Sequence, residues 1–241
     1  MSKIKFYPFS KETEAFAPAP TPASKQVADW YKHQPAYGMD EHEALRKGTS
    51  GATIKKCMPI FDVMTAGYII YTPVDIYVDT TNPDKMDYSV PGQVKYMAKD
   101  IFSSHSPEQV SHYPVDTSKY HKHVFRIMPF WSVGTDPGYS CLFTHPFHRD
   151  PVPFKALSAV VDTDKFISDG HLSLHVEKDF KGIIQKGTPL VQVIPFKRDE
   201  YEMELVNVDD ASQIINKQRL NIRTFFKHGY KDTMRTKKEY K

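Results

Sequence analysis

The chain has 241 residues, of which 40% are hydrophobic and 13% aromatic, so it can bury a sizeable core and is not disordered throughout. Its 18 prolines lie among short β-branched and aromatic runs, which favours a loop-rich, mainly β protein over a helical bundle. No apolar run approaches the roughly 18 residues of a membrane span, and Cys57 and Cys141 lie too far apart in sequence for a CxxC pair. We expect a cytoplasmic protein with no disulfide and no membrane contact.

The formal net charge of +3 is unevenly distributed along the chain. The segment 223–241 holds 7 Lys/Arg against 2 Asp/Glu, a charge of +5, and the remainder of the chain is therefore at −2. Such a basic tail either solubilises the protein or makes a weak contact with nucleic acid.

The N-terminal part, 1–36, is predicted to hold a strand, an arm and a short helix. The segment 3–8 alternates as a strand does. Alternate prolines predict an extended, polyproline-like arm outside the core at 16–23, and Ser24 is a candidate cap for a helix that reaches Lys32.

The β core is predicted over 52–198. Between Ala52 and Val78, apolar runs broken by proline and glycine indicate three strands. The alternation from His171 to Val176 is typical of a half-buried strand, and further strands are expected at 182–184 and 189–196.

One amphipathic helix is predicted at 207–229, followed by the basic tail 230–241. Asp209 or Asp210 is its candidate cap, and an apolar stripe runs from Ala211 to Phe226. We expect this stripe either to pack back on the sheet or to pair with a second copy of the chain. The whole chain is interpreted as a single domain, 1–241.

The candidate site lies where an apolar run, Leu157 to Val161, ends in Asp162-Thr163-Asp164. Either carboxylate is suited to activate a water or bind a sugar hydroxyl, or else simply to cap the turn. Gln192 interrupts an apolar strand and needs a partner, because burying an amide unpaired is costly. We expect Asp162, Asp164, Gln192 and His145, which Pro146 holds in place, to line one rim.

Metal chemistry is considered at H-x-x-H-x-D, formed by His145, His148 and Asp150, which are ligand types suited to zinc or ferrous iron. The alternative is that these histidines are exposed or hydrogen-bonded. Cys141 has the parity of a core-facing strand residue, which favours a small buried side chain over a nucleophile.

Two resemblances follow from the motifs. The order of KKCMP at 55–59, Gly138-Tyr139-Ser140, Thr144-His145-Pro146 and GTPLVQVIPF at 187–196 resembles a family of proteins of unassigned activity from tailed phages and bacteria. More distantly, AVVDTDKF at 159–166 followed by KGTPLVQVIPF is similar to the dUTPase and dCTP-deaminase superfamily.

The second resemblance implies a β-clip-like fold or a distorted barrel of short strands. It also implies that Asp162 activates water and that Gln192 is the glutamine of the fourth motif, with Tyr139 and Ser140 in the ligand-binding second motif. The segment at 138–140 lacks that motif's phosphate-holding arginine, so the resemblance supports the fold more than the activity.

From these patterns we predict a phage-type accessory protein that acts by binding or assembly, without a cofactor and in the host cytoplasm if phage-encoded. The alternatives are a nucleotide pyrophosphohydrolase that uses Mg²⁺ and a metal-dependent oxygenase. A homo-oligomer and a nucleotide are the partners left open.

Overall fold

The computed structural model describes residues 2–92, 101–167, 171–224 and 230–241, with the side chains of 221–224 excepted. The mainly β class is confirmed, because strands dominate the described chain. The strands are β1 Ile4–Pro8, β2 Thr21–Pro22, β3 Tyr68–Tyr71, β4 Ile76–Asp79, β5 Asp87–Ser89, β6 Phe102–His105, β7 Val124–Ile127, β8 Trp131–Thr135, β9 Tyr139–Thr144, β10 Phe154–Ala156, β11 Ala159–Val161, β12 Leu172–Val176, β13 Lys181–Ile184 and β14 Pro189–Lys197.

Among the residues that the structure describes, helices are short apart from one near the C-terminus. The α-helices are α1 Lys11–Phe16, α2 Asp29–His33, α3 Glu41–Arg46, α4 Met58–Met64 and α5 Val208–Thr224. Turns of 3₁₀-helix lie at Ala23–Lys25, Ile54–Lys56 and Pro107–Val110, and a π-helical turn lies at Tyr230–Met234. No helix in the described ranges is both long and apolar enough to cross a membrane.

The described strands form four open antiparallel sheets rather than a closed barrel. Their orders are β1-β8, β10-β12-β7-β6, β11-β9-β14-β3-β2 and β13-β4-β5. The strands expected at 182–184 and 189–196 are present as β13 and β14, but they pair with β4 and with β3 and β9 rather than with each other.

The chain forms two compact units. The first comprises Met1–Ala28 and Met64–Arg198 with Tyr240, and the second comprises Asp29–Val63 and Asp199–Glu239 with Lys241. The main core of the first unit is built around large, fully buried side chains, among them Phe125, Phe130, Leu174 and Leu190.

The sequence predicted that the proline-rich segment lies outside the core, but the structure places part of it inside. Ala17 and Ala23 are buried, and Thr21–Pro22 pairs with β3. The small alanines between the prolines let the extended chain approach the sheet closely. Strand β2 is therefore an edge strand of the five-stranded sheet, a position that tolerates proline.

The prediction of three strands between Ala52 and Val78 is wrong in its first third. The chain is helical at Ile54–Lys56 and Met58–Met64, and only β3 and β4 follow as strands. Pro59 stands in the first turn of α4, where its missing N–H has no helical partner to lose. A short apolar run fits a helix as well as a strand, and here the proline marks a helix start.

The long helix α5 begins one residue after Asn207, whose side chain accepts from the amides of Asp209 and Asp210 at 3.1 and 3.0 Å. Asn207 is therefore the cap, and the two aspartates lie in the first turn. Four apolar side chains of α5 are exposed, those of Val208, Ile214, Ile215 and Leu220. The predicted end at 225–229, with Phe226, lies outside the described residues.

The basic tail is partly ion-paired within the second unit. Arg235 donates to the carboxylate of Asp62 at 2.9 and 2.6 Å, and Lys238 donates to it at 2.9 Å. These contacts engage two of the cations that the sequence offered for nucleic acid.

Candidate functional site: an aspartate pair held by Arg198

Asp164 is the centre of the polar cluster at the end of β11. Both guanidinium nitrogens of Arg198 donate to its carboxylate, with Nη1 at 2.9 Å from Oδ1 and Nη2 bound to Oδ2. The amide of Gly138 donates to the same Oδ2 at 2.9 Å. Only 6% of the Asp164 side chain is exposed, so this bidentate pair is mostly shielded from solvent.

Asp162 lies beside this pair and faces solvent with 54% of its side chain. Its Oδ1 accepts from the buried hydroxyl of Ser140 at 2.7 Å and from Arg198 Nη1 at 3.3 Å. Arg198 Nη1 also donates to the carbonyl of Tyr139 at 3.0 Å. The structure thus brings together four of the predicted residues, Asp162, Asp164, Tyr139 and Ser140.

Local sequence explains the geometry of this cluster. Gly138 ends the turn between β8 and β9 with φ 86, a left-handed conformation that glycine adopts readily, and its amide then meets Asp164. Thr163 is buried between the two aspartates, and its hydroxyl lies 2.8 Å from that of Thr135. In the turn that follows β11, Thr163 faces inward whereas both carboxylates face Arg198.

The electrostatics of the cluster suit Asp164 to an ion pair rather than to proton transfer. Arg198, and then the Gly138 amide, hold the pKa of Asp164 well below its ordinary value, so Asp164 is a poor proton acceptor. Two carboxylates and one guanidinium carry a net charge of −1. Arg198 is already bound to both carboxylates, which leaves it ill-placed to hold a phosphate.

Gln192 does not belong to this cluster. It is fully buried, its Oε1 accepts from the amide of Phe147 at 3.0 Å, and its Nε2 donates to the carbonyl of Ala66 at 2.6 Å. The expected partner exists, but it is backbone. Gln192 pairs with Thr144 on β9, whereas Asp162 follows the Val161–Cys141 pair on the other side of that strand. Strand geometry then separates Asp162 and Gln192 by roughly 16 Å, too far for one rim.

His145 is part of the packing rather than of the cluster. Its Nδ1 accepts from the amide of Ala156 at 3.3 Å, and its ring packs edge-on against Phe154. Burial, and then the charge of Lys155, lower the pKa of His145, which favours the neutral ring.

The three residues of the H-x-x-H-x-D pattern lie in different environments. His148 and Asp150 are exposed, whereas the Nδ1 of His145 is occupied by the Ala156 amide. Among the residues that the structure describes, no three His, Cys, Asp or Glu side chains converge to hold a metal ion.

Arg198 is the residue that sequence reasoning missed. It lies 34 residues from Asp164 in sequence, and only the pairing of β14 with β9, which sets Lys197 opposite Tyr139, brings it to the cluster. An arginine directly after a long strand was the available signal, but the sequence does not show which strand is the neighbour.

The segment after Arg198 carries a second candidate, an interaction surface. In 199–205 acidic residues alternate with Tyr201, Met203 and Leu205, whose side chains are 88%, 82% and 86% exposed. Alternation of this kind is typical of a strand with one buried face. The segment is neither strand nor helix, and its three apolar side chains are left uncovered by the described part of the chain.

Comparison with known proteins found no relative. No family model matches the chain, and no curated protein or solved structure matches it significantly.

Proposed function

We propose that this protein is an accessory protein, of the phage type that its motifs resemble, and that it acts by binding or assembly rather than by catalysis. The observation that carries the proposal is the exposed apolar face of Tyr201, Met203 and Leu205. Side chains of this size each favour burial by about 1.5–3 kcal/mol, so a partner that covers them gains a large free energy.

The partner that the chain fits best is a second copy of itself. Strand β13 is an edge of its sheet, since within the described residues it pairs with β4 and with no other strand. It exposes Ile183, and exposed lysines, Lys178 and Lys186, flank it. An acidic and apolar segment such as 199–205 complements such an edge in both charge and hydrophobicity.

The nucleotide pyrophosphohydrolase remains the second candidate, supported by Asp162, a solvent-facing carboxylate at the position its resemblance assigns to water activation. It is the weaker candidate because the one arginine in the cluster is bound by both aspartates. Incubating the protein with each nucleoside triphosphate and Mg²⁺ tests it directly. Pyrophosphate release that disappears in Asp162→Asn would replace assembly by catalysis as the proposed function.

Assembly is tested by light scattering coupled to size-exclusion chromatography. We expect the unaltered protein to elute as a dimer or larger, and the triple variant Tyr201→Ser, Met203→Ser, Leu205→Ser to elute as a monomer. The matched control is Tyr37→Ser, Leu45→Ser, Ile54→Ser, which removes three exposed apolar side chains elsewhere in the second unit and should leave the oligomer intact. A monomeric parent, or equal effects of the two triple variants, would contradict the proposal.

A further inference from the structure

The first unit contains a pocket of about 280 Å³ that is distinct from both the ion-pair cluster and the C-terminal segment. Strands of three sheets supply its walls, with β8 on one side, β9 and β11 on a second, and β12 on a third. Residues outside the strands, among them Leu157, Phe166 and His171, complete the lining, and a concave pocket of this kind suits a small ligand.

The walls of the pocket are mostly apolar and include three aromatic rings, those of Trp131, Phe143 and Phe166. No Lys, Arg, Asp or Glu is among the described residues that line it. A cation would lose its hydration here without gaining a carboxylate partner, and an anion would meet only the His171 imidazole, so the pocket favours an uncharged ligand. Aromatic walls favour a planar ring that stacks on them.

Trp131, one of the lining residues, also carries a hydrogen-bond donor. Its indole Nε1 is buried and has no hydrogen-bond partner among the described residues. Buried donors without partners are rare in folded proteins, because each is costly to leave unpaired. A ligand with an acceptor near this nitrogen would satisfy it, and the hydroxyls of Ser158 and Ser173 offer further polar contacts in the same pocket.

The volume limits the ligand to a small ring system. An apolar cavity of about 150 Å³ is sufficient for benzene, so a pocket of this size has room for two fused rings. We propose that the pocket binds an uncharged, planar compound of one or two rings that carries a hydrogen-bond acceptor for the Trp131 indole, the chemical class to which nucleobases belong.

The test uses quinoline, a two-ring compound with an acceptor nitrogen, at a pH where it is uncharged. Indole is the control compound, because it has a similar size but its nitrogen donates a hydrogen bond and cannot accept one from Trp131. Protein labelled with ¹⁵N gives two indole N–H signals in its NMR spectrum, from Trp30 and Trp131, and Trp30→Phe assigns them. We expect quinoline to move the Trp131 signal downfield, to leave Trp30 unmoved, and to bind more tightly than indole.

Two variants separate binding in this pocket from adsorption elsewhere. Trp131→Phe keeps an aromatic ring but removes the donor. It should weaken the affinity for quinoline about fivefold relative to Trp30→Phe, which corresponds to the loss of one hydrogen bond. Ala159→Leu adds volume at an exposed lining residue without disturbing the core, and should abolish binding. The proposal is overturned if quinoline leaves the Trp131 signal in place, or if Ala159→Leu binds quinoline as the parent does.

Discussion

At the scale of single residues, Gln192 shows how a buried polar side chain holds separate segments together. Its amide links strand β14 to the backbone at Phe147 and at Ala66. Both backbone groups would lose their partner if the side chain became apolar, while the volume of the residue would change little.

We therefore predict that Gln192→Leu lowers the free energy of unfolding by about 1–3 kcal/mol for each backbone group left unpaired. The control is Gln185→Leu, the same replacement at an exposed turn residue, which should have little effect. Urea denaturation measures both. Equal losses in the two variants would show that the two hydrogen bonds are not what Gln192 contributes.

The ion pair between Asp164 and Arg198 should make the free energy of unfolding depend on pH. Arg198 and the Gly138 amide hold the pKa of this carboxyl well below the ordinary 3.8 in the folded state. A depressed pKa contributes stability that is complete above the unfolded value and is lost as the pH falls toward the folded one. Relative to the parent, Asp164→Asn should therefore flatten the fall in unfolding free energy below about pH 4. Denaturant titrations at several acidic pH values provide the comparison.

At the scale of elements, the junction of β3 with β14 depends on Gly67. This residue has φ 66, and a Cβ atom added to it would lie 2.0 Å from the carbonyl oxygen of Val193. Gly187 has a similar conformation, φ 84, but a Cβ there would meet no atom within 4 Å. Comparing alanine variants at the two positions thus distinguishes the cost of backbone strain, which both share, from the cost of steric overlap, which only Gly67 has.

Gly187→Ala should cost about 1–2 kcal/mol, the penalty of a left-handed conformation for alanine. Gly67→Ala should cost clearly more, because the methyl group forces β3 away from β14 or prevents their pairing. Thermal unfolding of the two variants gives the comparison, and similar melting temperatures would argue against close approach at Gly67.

Strands with regular alternation of apolar and polar residues were predictable from sequence. The burial of side chains that depends on which other elements pack against a strand was not. The pattern from His171 to Val176 identifies β12 because one face is apolar. It does not show that His175 is also buried, with its ring 5.7 and 5.4 Å from those of Tyr113 and Tyr120. Val160 belongs to an apolar run, which is typical of a core strand, yet it is 62% exposed on β11, the edge strand of its sheet.

The candidate site was predictable only in part, for the same reason. Asp162 and Asp164 share a side because they are two residues apart, and the turn at Gly138 is marked by its own sequence. Arg198 and the true partners of Gln192 come from other strands and loops, and strand order is not written in any local pattern.

At the scale of the whole molecule, the proposed self-association would make stability depend on protein concentration. If copies bind each other through 199–205, folded protein is stabilised by mass action and its melting temperature rises with concentration. We predict this rise for the parent and for the Tyr37, Leu45, Ile54 control, but not for the Tyr201, Met203, Leu205 variant. Calorimetric scans over a wide range of concentrations test it, and a melting temperature independent of concentration in the parent would count against assembly.

The segment 161–164 alternates between two environments. Val161 and Thr163 line the pocket, whereas Asp162 and Asp164 bind Arg198 on the opposite side of the same backbone. A displacement of these four residues therefore changes the pocket and the ion pair together. Thermodynamic reciprocity then applies: any factor by which an occupant of the pocket strengthens or weakens the salt link is the factor by which the salt link alters the affinity for that occupant.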